Sequence, residues 1–201
     1  MNEQDIISLA VRAFVDGHFI LTSWRHSRVY INKDALSLYP WRLDELAMNL
    51  ARLLLENTGG WCDVVAAPAL GGIVLGNRVA FHYGHFQEWS DIISVYAEKD
   101  GEEFIFKRGF GAYLRDGRVA VVEDVLTTGK SARGVVKAVQ KCGGEVVAVG
   151  ALFNRGKVPA KDVGGVPLVS LINQDLKSWE AKHCPLCKAG VPISQELGRG
   201  G

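Results

Sequence analysis

Between Arg118 and Ser131 the chain passes through four short segments of different chemical character. The apolar, β-branched run Val119 to Val122 reads as a strand covered on both faces. Two adjacent carboxylates follow, Glu123 and Asp124, and then a hydroxyl- and glycine-rich turn, Thr127-Thr128-Gly129. Lys130 and Ser131 open a helix. A strand that feeds a helix through a tight turn presents free backbone N–H groups at the helix N-terminus, where a phosphate can sit. Glu123 and Asp124 repel a phosphate. They suit the hydroxyls of a sugar or a hydrated cation. The segment therefore calls for a ligand with both a phosphate and a polyol, a sugar phosphate.

Gly129-Lys130-Ser131 is similar to the end of a P-loop. That motif needs a glycine five residues before Gly129, and Asp124 stands there. A carboxylate at that point would face the phosphates, which excludes an ATPase of that kind. An ordinary capped strand–turn–helix explains Thr127-Thr128-Gly129 but leaves the acidic pair without a use.

Ile6, Ile7, Ala10, Val11 and Phe14 recur at helical spacing and predict a helix over 5–16 with Gly17 as its stop. Phe19-Ile20-Leu21 and Val29-Tyr30-Ile31 read as short strands around a turn at 23–27, forming a hood over an active site. Pro40 opens a helix whose apolar face, Leu43, Leu46, Ala47, Leu50 and Leu54, runs to Asn57. Strands are predicted over 64–67, 92–96, 119–122, 146–152 and 166–171, and helices over 73–83 and 131–141. Gly143-Gly144 closes the last helix. Phe104-Ile105-Phe106 lies among charges and reads as a loop or exposed ribbon. Alternating strands and helices predict an α/β fold with a mainly parallel central sheet flanked by helices. Ligands in such sheets bind beyond the carboxyl ends of the strands. The loops after Ala66, Tyr96, Glu123 and Phe153 lie on that edge. The chain divides into an N-terminal helix and hood (1–40), an α/β core (41–180) and a C-terminal extension (181–201).

With 201 residues, 48% of them apolar and 22% charged, the chain can bury one well-formed core. A net charge of +1 gives no field that draws it to nucleic acid or to an anionic membrane. The acidic N-terminus has no signal-peptide pattern and no apolar run spans a bilayer, so a cytoplasmic protein is expected. Its four cysteines are then reduced. Cys62 and Cys142 read as packing residues. For Cys184-Pro185-Leu186-Cys187 a structural turn is the first reading. The spacing also supplies half of a zinc site, but no second ligand pair is evident in the chain and a partner subunit would have to provide it. A redox pair comes third.

The segment 118–131 resembles the PRPP-binding motif of the type I phosphoribosyltransferases. Ser23-Trp24-Arg25-His26-Ser27-Arg28-Val29-Tyr30 is similar to the N-terminal signature of the orotate phosphoribosyltransferases, and Ala67-Pro68-Ala69-Leu70-Gly71-Gly72-Ile73 to their pyrophosphate loop. Tyr96-Ala97-Glu98-Lys99 and Lys107-Arg108-Gly109-Phe110 resemble the strand and mobile loop of a bacterial subgroup, in which Cys184 to Cys187 also has a counterpart. Leu152-Phe153-Asn154-Arg155 resembles the segment whose arginine contacts the base.

This resemblance implies a type I phosphoribosyltransferase core and a reaction of pyrimidine biosynthesis. Orotate displaces pyrophosphate from PRPP and orotidine 5'-monophosphate forms. Thr127, Thr128, Gly129, Lys130 and Ser131 would hold the 5-phosphate, and Glu123 and Asp124 the ribose hydroxyls. Ala69, Leu70, Gly71 and Gly72 would admit the pyrophosphate. Lys99, Lys107 and Arg108 would neutralise the leaving group, with Asp124 also catalytic. Ser23, Thr127 and Arg155 would meet orotate, Arg155 by a planar fork on its carboxylate. Mg²⁺ would be held mainly by PRPP oxygens, with no dedicated protein metal ligands. A homodimer is implied, and neither nucleic acid nor membrane as partner. The chain departs from the common pattern at Trp24, where Gly is usual, at Arg28, where Pro is common, at Leu70-Gly71, which replace an aromatic–Lys pair, and at Glu98, where many relatives carry Arg. These changes predict a less positive pyrophosphate pocket and a base pocket narrowed by Trp24. They keep open a purine or another pyrimidine as acceptor, and a non-catalytic PRPP-sensing regulator.

Overall fold

The computed structural model describes residues 3–21, 23–59, 61–88 and 91–200. The chain opens with α1 (Glu3–Ala10), a 3-10 turn over Val11–Ala13, and an antiparallel hairpin of β1 (Phe14–Ile20) and β2 (His26–Ile31). The helix predicted over 5–16 thus stops early. Phe14 packs edge-on to Phe153, ring centroids 5.5 Å apart, and pairs with Ile31, so it is drawn into the strand. Gly17 ends no helix. It lies in β1 at a register shift between Asp16 and Phe19, where a Cβ would come within 2.8 Å of the Phe19 ring.

The core follows as α2 (Asp34–Ser37), α3 (Pro40–Asn57), β3 (Val64–Pro68), α4 (Gly72–Phe86), β4 (Ile93–Asp100), β5 (Glu103–Ile105), β6 (Arg118–Leu126), α5 (Lys130–Lys141), β7 (Glu145–Asn154) and β8 (Leu168–Asn173). Pro40 occupies the first turn of α3, where its missing N–H breaks no bond, and the predicted stripe from Leu43 to Leu54 is buried. The central sheet runs in the order β5-β4-β3-β6-β7-β8, parallel except for β5, an edge ribbon antiparallel to β4. Val119 and Val121 face the cluster under α5, and Ala120 and Val122 face the cluster under α3 and α4. Both faces of β6 are covered, which is why its sequence is continuously apolar.

From β3 the chain winds outward to β4 through α4. From β6 it winds the opposite way to β7 through α5. The switch point therefore falls between β3 and β6, and their carboxyl ends flank one crevice. β9 (Ser178–Trp179) leaves the core and pairs with β2, completing a three-stranded hood sheet, β1-β2-β9. α6 (Pro185–Lys188) follows, and Ser194 N–H donates to His18 O at 2.8 Å, laying the C-terminal segment along β1. Among the described residues no helix is long and apolar enough to cross a membrane.

Candidate active site

The turn expected to cradle a phosphate forms where β6 ends. Gly129 takes φ +74° as the N-cap of α5, a left-handed conformation natural to glycine. A Cβ there would meet Val158 Cγ1 at 2.8 Å and Asp162 O at 3.1 Å, so the turn is closed to larger residues. Gly129 has no side chain to cap the helix, and beside this helix start lies a cavity of about 120 Å³ lined by Glu123 and by Thr127 to Ser131. The Lys130 ammonium pairs with Glu102 at 3.3 Å.

Glu123 and Asp124 both lie inside β6, beyond the strand end expected at Val122. Successive strand residues face opposite sides. Glu123 lines the cradle cavity, while Asp124 lines the crevice with Lys33 and Gly71. The two side chains nonetheless interact. Burial, and then repulsion by Asp124, push the Glu123 carboxyl well above its ordinary value near 4.5. Lys33 Nζ pairs with Asp124 Oδ2 at 2.9 Å. Burial draws the Lys33 pKa down, but Asp124, Glu123 and Asp34 outweigh it and leave it raised.

Lys33 carried no motif in the sequence, because its partners are Asp124 and Gly71, distant along the chain. A Cβ on Gly71 would overlap Lys33 Nζ and come within 2.7 Å of Asp124 Oδ2. The glycine makes room for this ammonium, so the crevice regains a cation that the Leu70-Gly71 pair lacks. Leu70 itself is 85% exposed, and the Ala69–Leu70 peptide is cis. Ala69 N–H donates to Ala97 O at 2.8 Å, fixing this loop to β4.

The Glu123 shift gives a stability prediction. A raised carboxyl pKa means that the folded chain holds the proton more tightly than the unfolded chain. The contribution of Glu123 to ligand-free stability is then greatest at low pH and declines as pH rises from about 4.5 toward the folded-state value. Glu123→Gln removes the buried charge and this slope. Thermal melts without ligand should show the variant gaining on the parent between pH 5 and 8, reaching about 3 °C, while turnover falls. Parallel melting curves across that range would show that Glu123 carries no such penalty.

Ser23, Thr127 and Arg155 line a second cavity, of about 410 Å³, with Arg25, Lys177 and Trp179. Arg155 is 5% exposed. Its Nη2 donates to Ser27 Oγ at 3.1 Å and to Val29 O at 3.3 Å, joining the end of β7 to the hood. Burial lowers its pKa, Tyr30 partly offsets this, and a guanidinium remains charged. Among the described residues no carboxylate pairs with it. Asp175, in the same cavity, is paired with Lys157 at 3.1 Å.

Trp24 does not narrow this cavity. It is 67% exposed, its φ is +61°, and its ring lies under the Arg199 guanidinium at 4.2 Å. That left-handed φ is one a glycine adopts more readily than a tryptophan. Arg28 is exposed and faces Asp16 at 3.7 Å.

Lys99, Lys107 and Arg108 lie apart from both cavities. Lys99 is exposed on β4, while Lys107 and Arg108 fold onto Glu98 at 3.5 and 3.6 Å. Arg108 (φ +57°) and Gly109 (φ +78°) form a tight left-handed corner there.

The expectation that the Cys184–Cys187 pair has no second ligand pair in this chain is corrected. The hairpin brings His18 and His26 to it, and one donor atom from each of the four residues lies within 4.8 Å of the others. The pairing crosses nearly the whole chain, so sequence spacing did not reveal it.

Solved structures that superpose on this chain include type I phosphoribosyltransferases, and the fold and its crevice place the chain in that class. The orotate phosphoribosyltransferase of Mycobacterium tuberculosis in complex with Fe(III) dicitrate superposes with a TM-score of 0.65 at 25% identity, covering 85% of this chain and 95% of that one. The same enzyme in complex with 5-phospho-α-D-ribosyl 1-diphosphate superposes with a TM-score of 0.62 at 27% identity over the same shares. No known family profile matches the sequence. The orotate phosphoribosyltransferases of Phenylobacterium zucineum and Thermotoga maritima are each 36% identical to it, over 195 and 191 residues. These alignments cover 96% and 94% of this chain and 95% and 94% of the relatives. The chain belongs to the orotate phosphoribosyltransferase family.

Proposed function

We propose that this chain transfers the 5-phosphoribosyl group of PRPP to orotate, with Mg²⁺, releasing pyrophosphate and orotidine 5'-monophosphate. The observation that carries this reading is Arg155: a buried cation without a carboxylate partner among the described residues, beside a cavity shared with Ser23 and Thr127. A planar anionic base supplies the missing charge, and its carboxylate matches the guanidinium fork.

The anomeric C1–O bond to pyrophosphate breaks, and the leaving group takes the electron pair. A bond forms from C1 to a ring nitrogen of orotate, and the proton of that nitrogen passes to the departing pyrophosphate. Positive charge builds on the ribose between these events, as in glycoside hydrolysis. Positioning and electrostatics then supply the catalysis. The N–H groups and hydroxyls of Thr127 to Ser131 hold the 5-phosphate, while Glu123 and Asp124 accept hydrogen bonds from the ribose hydroxyls. Ala69 to Gly72 admit the pyrophosphate closely, and Lys33 adds charge beside them.

The donor set fits Mg²⁺: Glu123 and Asp124 would hold a hydrated ion at the crevice beside bound PRPP, without a dedicated cage. When bound, Mg²⁺ neutralises charge on the pyrophosphate. Lys99, Lys107 and Arg108 form a basic lid that acts across a homodimer; within one chain Lys107 and Arg108 turn toward Glu98 and Lys99 is exposed. The hood (1–40) covers the base side, the core (41–180) holds PRPP and the extension (181–201) braces the hood. The setting is the cytoplasm, in keeping with four free cysteines.

The test is loss of orotate absorbance with PRPP and Mg²⁺, run beside a panel of purine and pyrimidine bases. Orotate should be consumed at least about 10³-fold faster than any uncharged base. Turnover with another base and none with orotate overturns the reading.

A further inference from the structure

We propose that His18, His26, Cys184 and Cys187 bind a structural zinc ion that clamps the C-terminal segment to the hood. Two imidazoles and two thiols are a tetrahedral zinc donor set, and two cysteines two residues apart are its usual half-site. His18 and His26 lie on the two strands of the hairpin, and Cys184 and Cys187 bracket the start of α6. The zinc bond lengths, about 2.0–2.1 Å to nitrogen and 2.3 Å to sulfur, give tetrahedron edges of about 3.6 Å between N and S and 3.3 Å between two N. The observed edges from His18 Nε2 are 3.6 Å to Cys184 Sγ and 3.7 Å to Cys187 Sγ, and that from His26 Nδ1 to Cys187 Sγ is 3.4 Å. The two imidazole nitrogens, 2.8 Å apart, need to open by about half an ångström.

The orientation of His18 points the same way. Its Nδ1 donates to Val191 O at 2.7 Å, which leaves Nε2 with its lone pair facing the cluster. A backbone carbonyl on the far nitrogen is how a metal-ligating histidine is usually held. His18, His26 and Cys184 are 2%, 5% and 0% exposed, and Cys187 alone lies at the surface. The protein fills all four positions, so the site is closed and structural, without a place for substrate.

The clamp reaches the base side of the crevice. His26 pairs with Trp179 and Ser27 with Ser178, and Ser27 Oγ accepts from Arg155 Nη2. Zinc would hold the hood strand that seats Arg155. This link to base binding rests on the proposed function, whereas zinc content does not, so the two can fail separately.

The experiment uses the full chain purified without a histidine tag. Elemental analysis should find about one zinc per chain, and reduced, stripped protein should take up Co²⁺ stoichiometrically with the visible bands and thiolate charge transfer of a tetrahedral site. Zinc loading should raise the ligand-free Tm by more than about 5 °C and protect 184–197 from hydrogen exchange. Cys187→Ser, at the exposed ligand, tests the site with little risk to the core and should lose zinc. Less than about a tenth of an equivalent of zinc together with no cobalt spectrum overturns the proposal, leaving a hydrogen-bonded cluster. Full zinc retention in Cys187→Ser overturns it too, as does a Cys184–Cys187 disulfide in freshly purified protein.

Discussion

Arg155→Ala is expected to lower kcat/KM for orotate by about 10²–10³-fold, with KM for PRPP changed by less than about twofold. Two consequences of burial set the size. The guanidinium is almost wholly removed from water and no carboxylate among the described residues compensates it, so a bound anion gains more than at a surface. Its planar fork also satisfies a carboxylate with two parallel bonds. Arg155→Lys keeps the charge without the fork and should lose about tenfold. Arg155 also tethers the hood through Ser27 Oγ and Val29 O, so part of the loss could come from a displaced hairpin. Ser27→Ala separates the effects. It removes one tether without touching the charge and should cost about 1 kcal/mol of stability and less than about fivefold in kcat/KM. Steady-state kinetics with orotate varied at saturating PRPP decide the matter. An unchanged KM for orotate in Arg155→Ala would remove this residue from the base site.

Asp124→Asn is expected to reduce kcat by about 10²-fold, because the amide keeps the shape and loses the charge that the proposed function sets against the ribose. Asn offers one acceptor oxygen where the carboxylate offers two: Val125 N–H donates to Asp124 Oδ1 at 2.7 Å and Lys33 to Oδ2, so with the amide oxygen kept on Val125 its NH₂ meets the Lys33 ammonium donor to donor. Lys33 is then left without its 2.9 Å partner. Its side chain is 40% exposed, so water relieves much of the penalty and the fold loses no more than about 1 kcal/mol. The variant also removes one cause of the Glu123 shift, and the Glu123 carboxyl should titrate closer to its ordinary value. Lys33→Ala separates pair from charge. If the ammonium serves the pyrophosphate, that variant should raise KM for PRPP, and the double variant should be less impaired than the product of the singles. Asp124→Asn kinetics within about twofold of the parent would show that this carboxylate does not face the reacting sugar.

Much of the core was legible because its signals are local. Val119 to Val122 read as a doubly covered strand, Leu43 to Leu54 as one face of a helix, and Thr127 to Gly129 as an open helix start. Each depends on residues within a turn or two of one another. The amino-terminal region misled for the same reason. Ile6 to Phe14 keep helical spacing, yet Phe14 is held in β1 by Phe153 and Ile31, and a contact with β7 leaves no trace in a window of neighbouring residues. Trp24 was expected in the base pocket. A backbone at φ +61° carries its ring outward to Arg199 instead, and no periodicity reports the sign of φ.

By itself the amino-acid sequence determined the α/β class, the glycine turn that opens α5 and the acidic pair before it, since strand, turn and helix signals follow from side chains a few positions apart. Tertiary structure alone decided that Lys33 enters the space Gly71 leaves open beside Asp124. It also decided that Arg155 is buried without a carboxylate among the described residues, and that His18 and His26 meet Cys184 and Cys187. Those groupings come from strand order and hairpin closure, which bring distant segments within a few ångströms, and the charge or metal preference of a cluster exists only once its members share one space.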